Sequence, residues 1–233
     1  MIKKFYGKYI KDAVYAANDG IVTTFAVVSS VVGAGLDPIV ILILGFANML
    51  ADGFSMATGN YLGTSSESEH FQYERRREEK IFAESDGKAK QEINDILEEG
   101  GYDNKDIEII ADTISKNKKF FLDFIVFKRL GHMPRSKNYA VKSGVVTFFS
   151  FLFAGTIPLL PFIFLSDLTA GEAFVWTIIF TTIALFVIGA SRTIFTDKNW
   201  VVGGLEMLLA GGFAAVIAYF IGAFLKGLVS GII

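Results

Sequence analysis

The chain has no cysteine, and only two histidines and four prolines, in 233 residues. Without cysteine there is no disulfide, no thiolate metal site and no Cys nucleophile. His70 and His132 stand far apart and fit no HExxH-type spacing, which removes zinc-peptidase chemistry. Basic charge is missing locally: residues 33–38 and 166–172 contain neither Lys nor Arg. Water-soluble polarity is also scarce. The chain is 52% hydrophobic with 23 phenylalanines, and its mean hydropathy is +0.46.

What is there is five long apolar stretches, near residues 13–36, 38–62, 144–165, 173–191 and 200–225. A helix of about 20 apolar residues spans the hydrocarbon, where the backbone must satisfy its own hydrogen bonds. The expectation is an all-α integral membrane protein with five transmembrane helices. A small helical domain is inserted between spans two and three. The divisions are 1–62 (the N-terminal segment and spans one and two), 63–142 (the cytoplasmic domain) and 143–233 (spans three to five). No cleavable signal peptide is expected, since the first stretch is too long and runs straight into the second.

The net charge of −2 is uninformative, but its distribution is not. Lys3, Lys4, Lys8 and Lys11 precede span one, fifteen basic residues lie between spans two and three, and Arg192 and Lys198 follow span four. Thus 21 of the 22 basic residues fall on one side, with Lys226 the exception. The positive-inside rule then predicts a cytoplasmic N-terminus, a cytoplasmic insert and an external C-terminus.

The insert reads as helices. Span two continues through 65–82, a break falls at Ser85-Asp86-Gly87, a second helix covers 88–99, and Gly100-Gly101 closes it. Asp103 or Asn104 caps a third helix to about 116, and 119–130 forms a fourth. Ile93, Ile96 and Leu97, with Ile107, Ile110 and Ile114, give the second and third helices a buried stripe each. The insert holds 16 of the 24 acidic residues against fifteen basic ones, so most of its surface reads as solvated mixed charge.

Against that background, carboxylates inside the apolar stretches stand out. An ionised Asp in a bilayer costs several kcal/mol, so it faces a cavity, a partner or an ion path. Span one carries Asp12, Asp19 and Thr23 on one helical face, and span two carries Asn48, Asp52 and Met56 at steps of four. Counted from the turn at 35–38, Asp19 and Met56 reach nearly the same depth. Asp52 and Asn48 lie about 6 and 12 Å further out at ~1.5 Å per residue. Carboxylate and amide oxygens suit hard or borderline divalent ions, and a thioether tilts the preference toward transition metals. The same carboxylates can take up protons, as an exchanger requires. Interhelical hydrogen bonding alone is the plainer alternative. Glu206 either snorkels or pairs with Arg192, and Pro158 and Pro161 kink the outer end of span three.

These residues resemble a known family. Asn18-Asp19-Gly20-Ile21-Val22-Thr23-Thr24, Gly45-Phe46-Ala47-Asn48, Ala51-Asp52-Gly53-Phe54-Ser55-Met56 and Gly59-Asn60-Tyr61-Leu62 are similar to the vacuolar iron transporter family in its prokaryotic form. Ser66-Glu67-Ser68-Glu69-His70-Phe71 and Ile157-Pro158-Leu159-Leu160-Pro161 fit as well. The resemblance implies a homodimer that exports Fe²⁺ or Mn²⁺ from the cytoplasm in exchange for protons, along a path between subunits. The membrane would be the cell membrane in a prokaryote and a vacuolar type in a eukaryote. Asp19 and Met56 match the family's transmembrane metal ligands, Asp12 matches an acidic residue at the cytoplasmic entrance, and Asn48 stands where plant relatives carry Glu. The insert corresponds to a cytoplasmic metal-binding domain in which Glu78 and Glu92 keep expected ligand positions. Ile81 and Ala89 replace two further Glu, while Ile125, Val126 and Arg129 replace a Met pair and another Glu. Glu74, with Glu67 and His70 on the same helix face, offers a substitute donor set. No cofactor beyond the transported ion and no nucleic-acid partner are expected. Two other functions remain open at this point. One is a membrane scaffold whose insert binds a partner. The other is an aspartyl protease built on Asp19 and Asp52, against which the axial offset and the missing GxGD sequence argue.

Overall fold

A computed structural model describes the backbone of residues 2–84, 86–165, 167–193 and 199–230, with side chains from residue 9 onward except 84–89. Among the described residues the regular structure is helical throughout. Its elements are α1 (Ile2–Gly33), α2 (Pro38–Glu84), α3 (Asp86–Glu99), α4 (Asn104–Ser115), α5 (Lys118–Leu130), α6 (Lys137–Gly155), a 3₁₀ turn (Ile157–Leu159), α7 (Leu160–Phe164), α8 (Ala170–Arg192) and α9 (Trp200–Ser230). Five helical segments are long and apolar enough to cross a membrane: Tyr9–Gly33, Pro38–Ala83, Lys137–Phe164, Ala170–Arg192 and Trp200–Ser230. The protein is therefore read as a membrane protein with several spans.

The chain divides into two compact units. Unit 1 is Met1–Asn60 with Val141–Ile233, and unit 2 is Tyr61–Ala140.

In unit 1, α1, α8 and α9 pack against one another, and these contacts are built on glycine. A Cβ at Gly222 would stand 2.0 Å from the Ser30 carbonyl oxygen, and one at Gly189 would stand 2.4 Å from that of Gly203. Only a missing side chain lets backbones approach so closely, the usual way apolar helices associate where lipid offers no hydrophobic drive. The outward faces are apolar. Leu209, Phe213, Phe220 and Phe224 on α9, and Phe149 and Phe153 on α6, are exposed, with Phe153 at 75%. Such a surface is stable in lipid and not in water. The third apolar stretch is not one α-helix. Pro158 and Pro161 lack the N–H groups an α-helix needs, so α6 stops at Gly155 and the chain resumes as a 3₁₀ turn and then α7. Thr177 on α8, fully buried, donates its hydroxyl to the Pro158 carbonyl at 3.0 Å, satisfying an acceptor freed by the break. Thr169 and Glu172 form a capping box at the start of α8.

Unit 2 closes on a core of Ile93, Leu97, Ile107, Ala111, Phe121, Leu122 and Ile125. Asp103 caps α4, its Oδ1 accepting from the N–H groups of Lys105 and Asp106. Gly101 takes φ +84, a backbone setting that suits only glycine after a helix end. Ser85 lies outside the described residues, and Asp86 and Gly87 open α3 rather than a turn.

Candidate functional site

In unit 1 the polar residues of α1, α2 and α6 gather into two small networks. Asn48 donates from Nδ2 to Asp52 Oδ2 at 2.6 Å, one turn apart on α2. Both are half-buried, as is Asp19 on α1. The Asp19 and Asp52 carboxyls lie within electrostatic range of each other. Met56 packs against a buried cluster of Ala16, Met49 and Phe151, joined by Leu152. Ala16, a member of that cluster, is one turn before Asp19 on α1. Gly20 sets the spacing there, because a Cβ on it would stand 2.4 Å from the Phe151 carbonyl oxygen. Thr23 is less available as a ligand, since its hydroxyl donates to the Asp19 carbonyl at 2.8 Å.

Asp12 belongs to the second network. Its Oδ2 accepts from the Ser143 hydroxyl. Asn60 Nδ2 donates both to Ser143 Oγ at 3.0 Å and to Thr147 Oγ1 at 2.7 Å. Ser143 and Thr147 are buried completely, or nearly so. Sequence reasoning passed over both hydroxyls because Ser and Thr are common in packed apolar helices. Asn60, two residues before the end of the second apolar stretch, was the available signal. Glu206 bonds Arg192, the pairing the sequence left open.

Two carboxylates, an amide and a thioether on adjoining helices can shed the water of a divalent cation stepwise and hold it weakly enough to release it. Among the described residues, no three His, Asp or Glu side chains of one chain converge to hold a metal ion. A complete coordination shell in this region therefore needs the Asn and Met donors, water, or a second chain.

In unit 2, Glu74 and Glu78 on α2 and Glu92 on α3 meet at Arg129 of α5. Nη1 of Arg129 donates to Glu78 Oε1 at 2.6 Å and to Glu74 Oε2 at 3.2 Å, and Nη2 donates to Glu92 Oε1 at 2.5 Å. Burial by itself lowers the Arg129 pKa, but the hydrogen bonds to Glu78 and Glu92 outweigh it and hold the guanidinium above its ordinary value. Glu67 and His70, the other members of the stripe on α2, are exposed. Ile125 and Val126 are fully buried apolar packing.

The sequence comparisons extend over nearly the whole chain. It is 32% identical over 225 residues to a vacuolar iron transporter of Plasmodium berghei, covering 94% of this chain and 82% of that protein. A vacuolar iron transporter of Toxoplasma gondii is 33% identical over 225 residues, covering 94% and 74%. Vacuolar iron transporter 1 of Oryza sativa is 29% identical over 214 residues, covering 91% and 84%. These relatives are named as transporters, not as enzymes, which sets the protease reading aside. Residues 10–223, both polar networks among them, match the VIT family model, and the chain belongs to the VIT family.

Proposed function

We propose that the protein exports a divalent transition metal, Fe²⁺ or Mn²⁺, from the cytoplasm across its membrane in exchange for protons. The metal is the cargo. It enters past Asp12, is bound by Asp19 with Met56, and moves on past Asp52 and Asn48. The path lies between the two subunits of a homodimer with five spans each, and the N-terminus and residues 63–142 are cytoplasmic. The observation that carries this reading is the presence of Asp19 and Asp52, within electrostatic range of each other, inside otherwise apolar helices, with Asn48 bonded to Asp52 at 2.6 Å. Lipid tolerates such groups where they serve an ion or a proton. Relatives named vacuolar iron transporters support the choice of cargo. The distribution of Lys and Arg supports the orientation.

The mechanism follows from the donor set. Carboxylates that bind a dication must be deprotonated, so metal and proton compete for the same oxygens. A proton gradient then drives metal uphill when protons displace it on the acidic side. Inside-out vesicles bearing the protein are expected to take up Fe²⁺ or Mn²⁺ when their lumen is acid, and to lose that uptake in Asp19→Ala and in Met56→Ala. Undiminished uptake in both variants defeats the assigned path.

A further inference from the structure

Unit 2 contains an acidic cluster whose centre is already filled. Three carboxylates from two helices converge on one guanidinium from a third, at 2.5 to 3.2 Å. Glu78 is 1% exposed. One of its oxygens is held by Arg129, and the other, Oε2, is buried with no hydrogen-bond partner among the described residues. A buried carboxylate turned into a cluster with an oxygen to spare is a group built to meet positive charge. Arg77 approaches Glu74 at 3.7 Å but is itself mostly in solvent, so it adds little to the centre.

The chemistry of the two possible occupants differs. A divalent ion prefers six or more oxygen donors, exchanges with the medium, and leaves when its concentration falls. A guanidinium is always charged, presents planar donors that fit carboxylates, and here is tethered to α5 by its own backbone. It occupies the point on which Glu74, Glu78 and Glu92 converge.

We infer that Arg129 is the resident cation of this cluster: it closes α2, α3 and α5 around itself without metal. The three glutamates bind a divalent cation only when the guanidinium is removed. This cluster is thus loaded at every metal concentration and does not sense or capture metal. In this respect the residues present do not fit the cytoplasmic metal site that the family resemblance implies. The inference does not depend on the direction or coupling of transport.

The test is a Mn²⁺ titration of the full-length chain in detergent, with bound and free ion distinguished by electron paramagnetic resonance. Any ions held in unit 1 are common to all variants and cancel in the comparison. The wild-type chain and Glu92→Gln are expected to bind the same number of Mn²⁺ ions. Arg129→Ala is expected to gain about one site per chain, and Arg129→Ala with Glu78→Gln to lose it again. A wild-type chain that loses a bound Mn²⁺ on Glu92→Gln overturns the inference. So does a folded Arg129→Ala chain that gains none. Should Arg129→Ala not fold, Arg129→Lys, which keeps a tethered cation, is expected to fold and to match the wild-type count. A higher count in that variant also overturns the inference.

Discussion

Gly20 is the residue whose replacement tests the geometry without touching a metal-binding atom. It neighbours Asp19, and a Cβ on it would stand 2.4 Å from the Phe151 carbonyl oxygen, 3.1 Å from the carbonyl carbon and 3.2 Å from the Gly155 nitrogen. All three obstacles are backbone, so no rotamer change relieves them. To reach even 3.0 Å, α1 and α6 must separate by 0.6 Å, and ordinary contact at 3.4 Å requires 1.0 Å. Overpacking of this kind costs about 1–3 kcal/mol. For a chain of this size that corresponds to roughly 2–12 °C in Tm. The same displacement moves Asp19, the neighbour of Gly20, and a shift approaching 1 Å in a preorganised site costs on the order of 10–100-fold in rate. Gly20→Ala should therefore lower both the unfolding temperature in detergent and the initial rate of metal uptake in vesicles, with the rate falling further than stability explains. Gly59→Ala, where a Cβ meets nothing within 4 Å, is the control and should leave both unchanged. Wild-type stability and flux in Gly20→Ala would refute the packing argument.

Three further outcomes follow from single contacts. Asn48→Ala removes the amide held 2.6 Å from Asp52 and should raise the half-saturating metal concentration several-fold, measured by flux against metal concentration, while the chain stays folded. Thr177→Val strips the hydroxyl from the Pro158 carbonyl and should cost about 0.5–2 kcal/mol in a reversible unfolding titration. Asp103→Ala deletes the N-cap of α4 and should cost about 1 kcal/mol, seen as faster hydrogen exchange across Asn104–Ser115.

Much of the helical architecture was legible because two periodicities dominate it. Long apolar runs announce α1, α2, α8 and α9, and in the polar insert the Ile93/Leu97 and Ile107 stripes with Asp103 and Gly101 mark α3 and α4. The ends were less legible. Asp86 and Gly87 look like a break but open α3, because a helix N-terminus accepts both residue types. In the apolar helices, the i,i+4 spacing of Asn48 and Asp52 was enough to foresee a shared face, and the structure adds the hydrogen bond between them. The bond of Asp12 to Ser143 was hidden, since Ser143 lies 131 residues further along and no spacing rule links α1 to α6. Arg129 could be read as out of place among acids, but not as their common partner. That required the fold to bring α5 against α2 and α3.

The central claim is that acids on α1 and α2 line a route for a divalent metal. Its most direct test is anomalous scattering from crystals of the protein grown with Mn²⁺. A peak is expected within coordination distance of an Asp19 carboxyl oxygen and the Met56 sulfur. A structure in which Mn²⁺ binds elsewhere, with Asp19 and Met56 both turned to lipid, contradicts it.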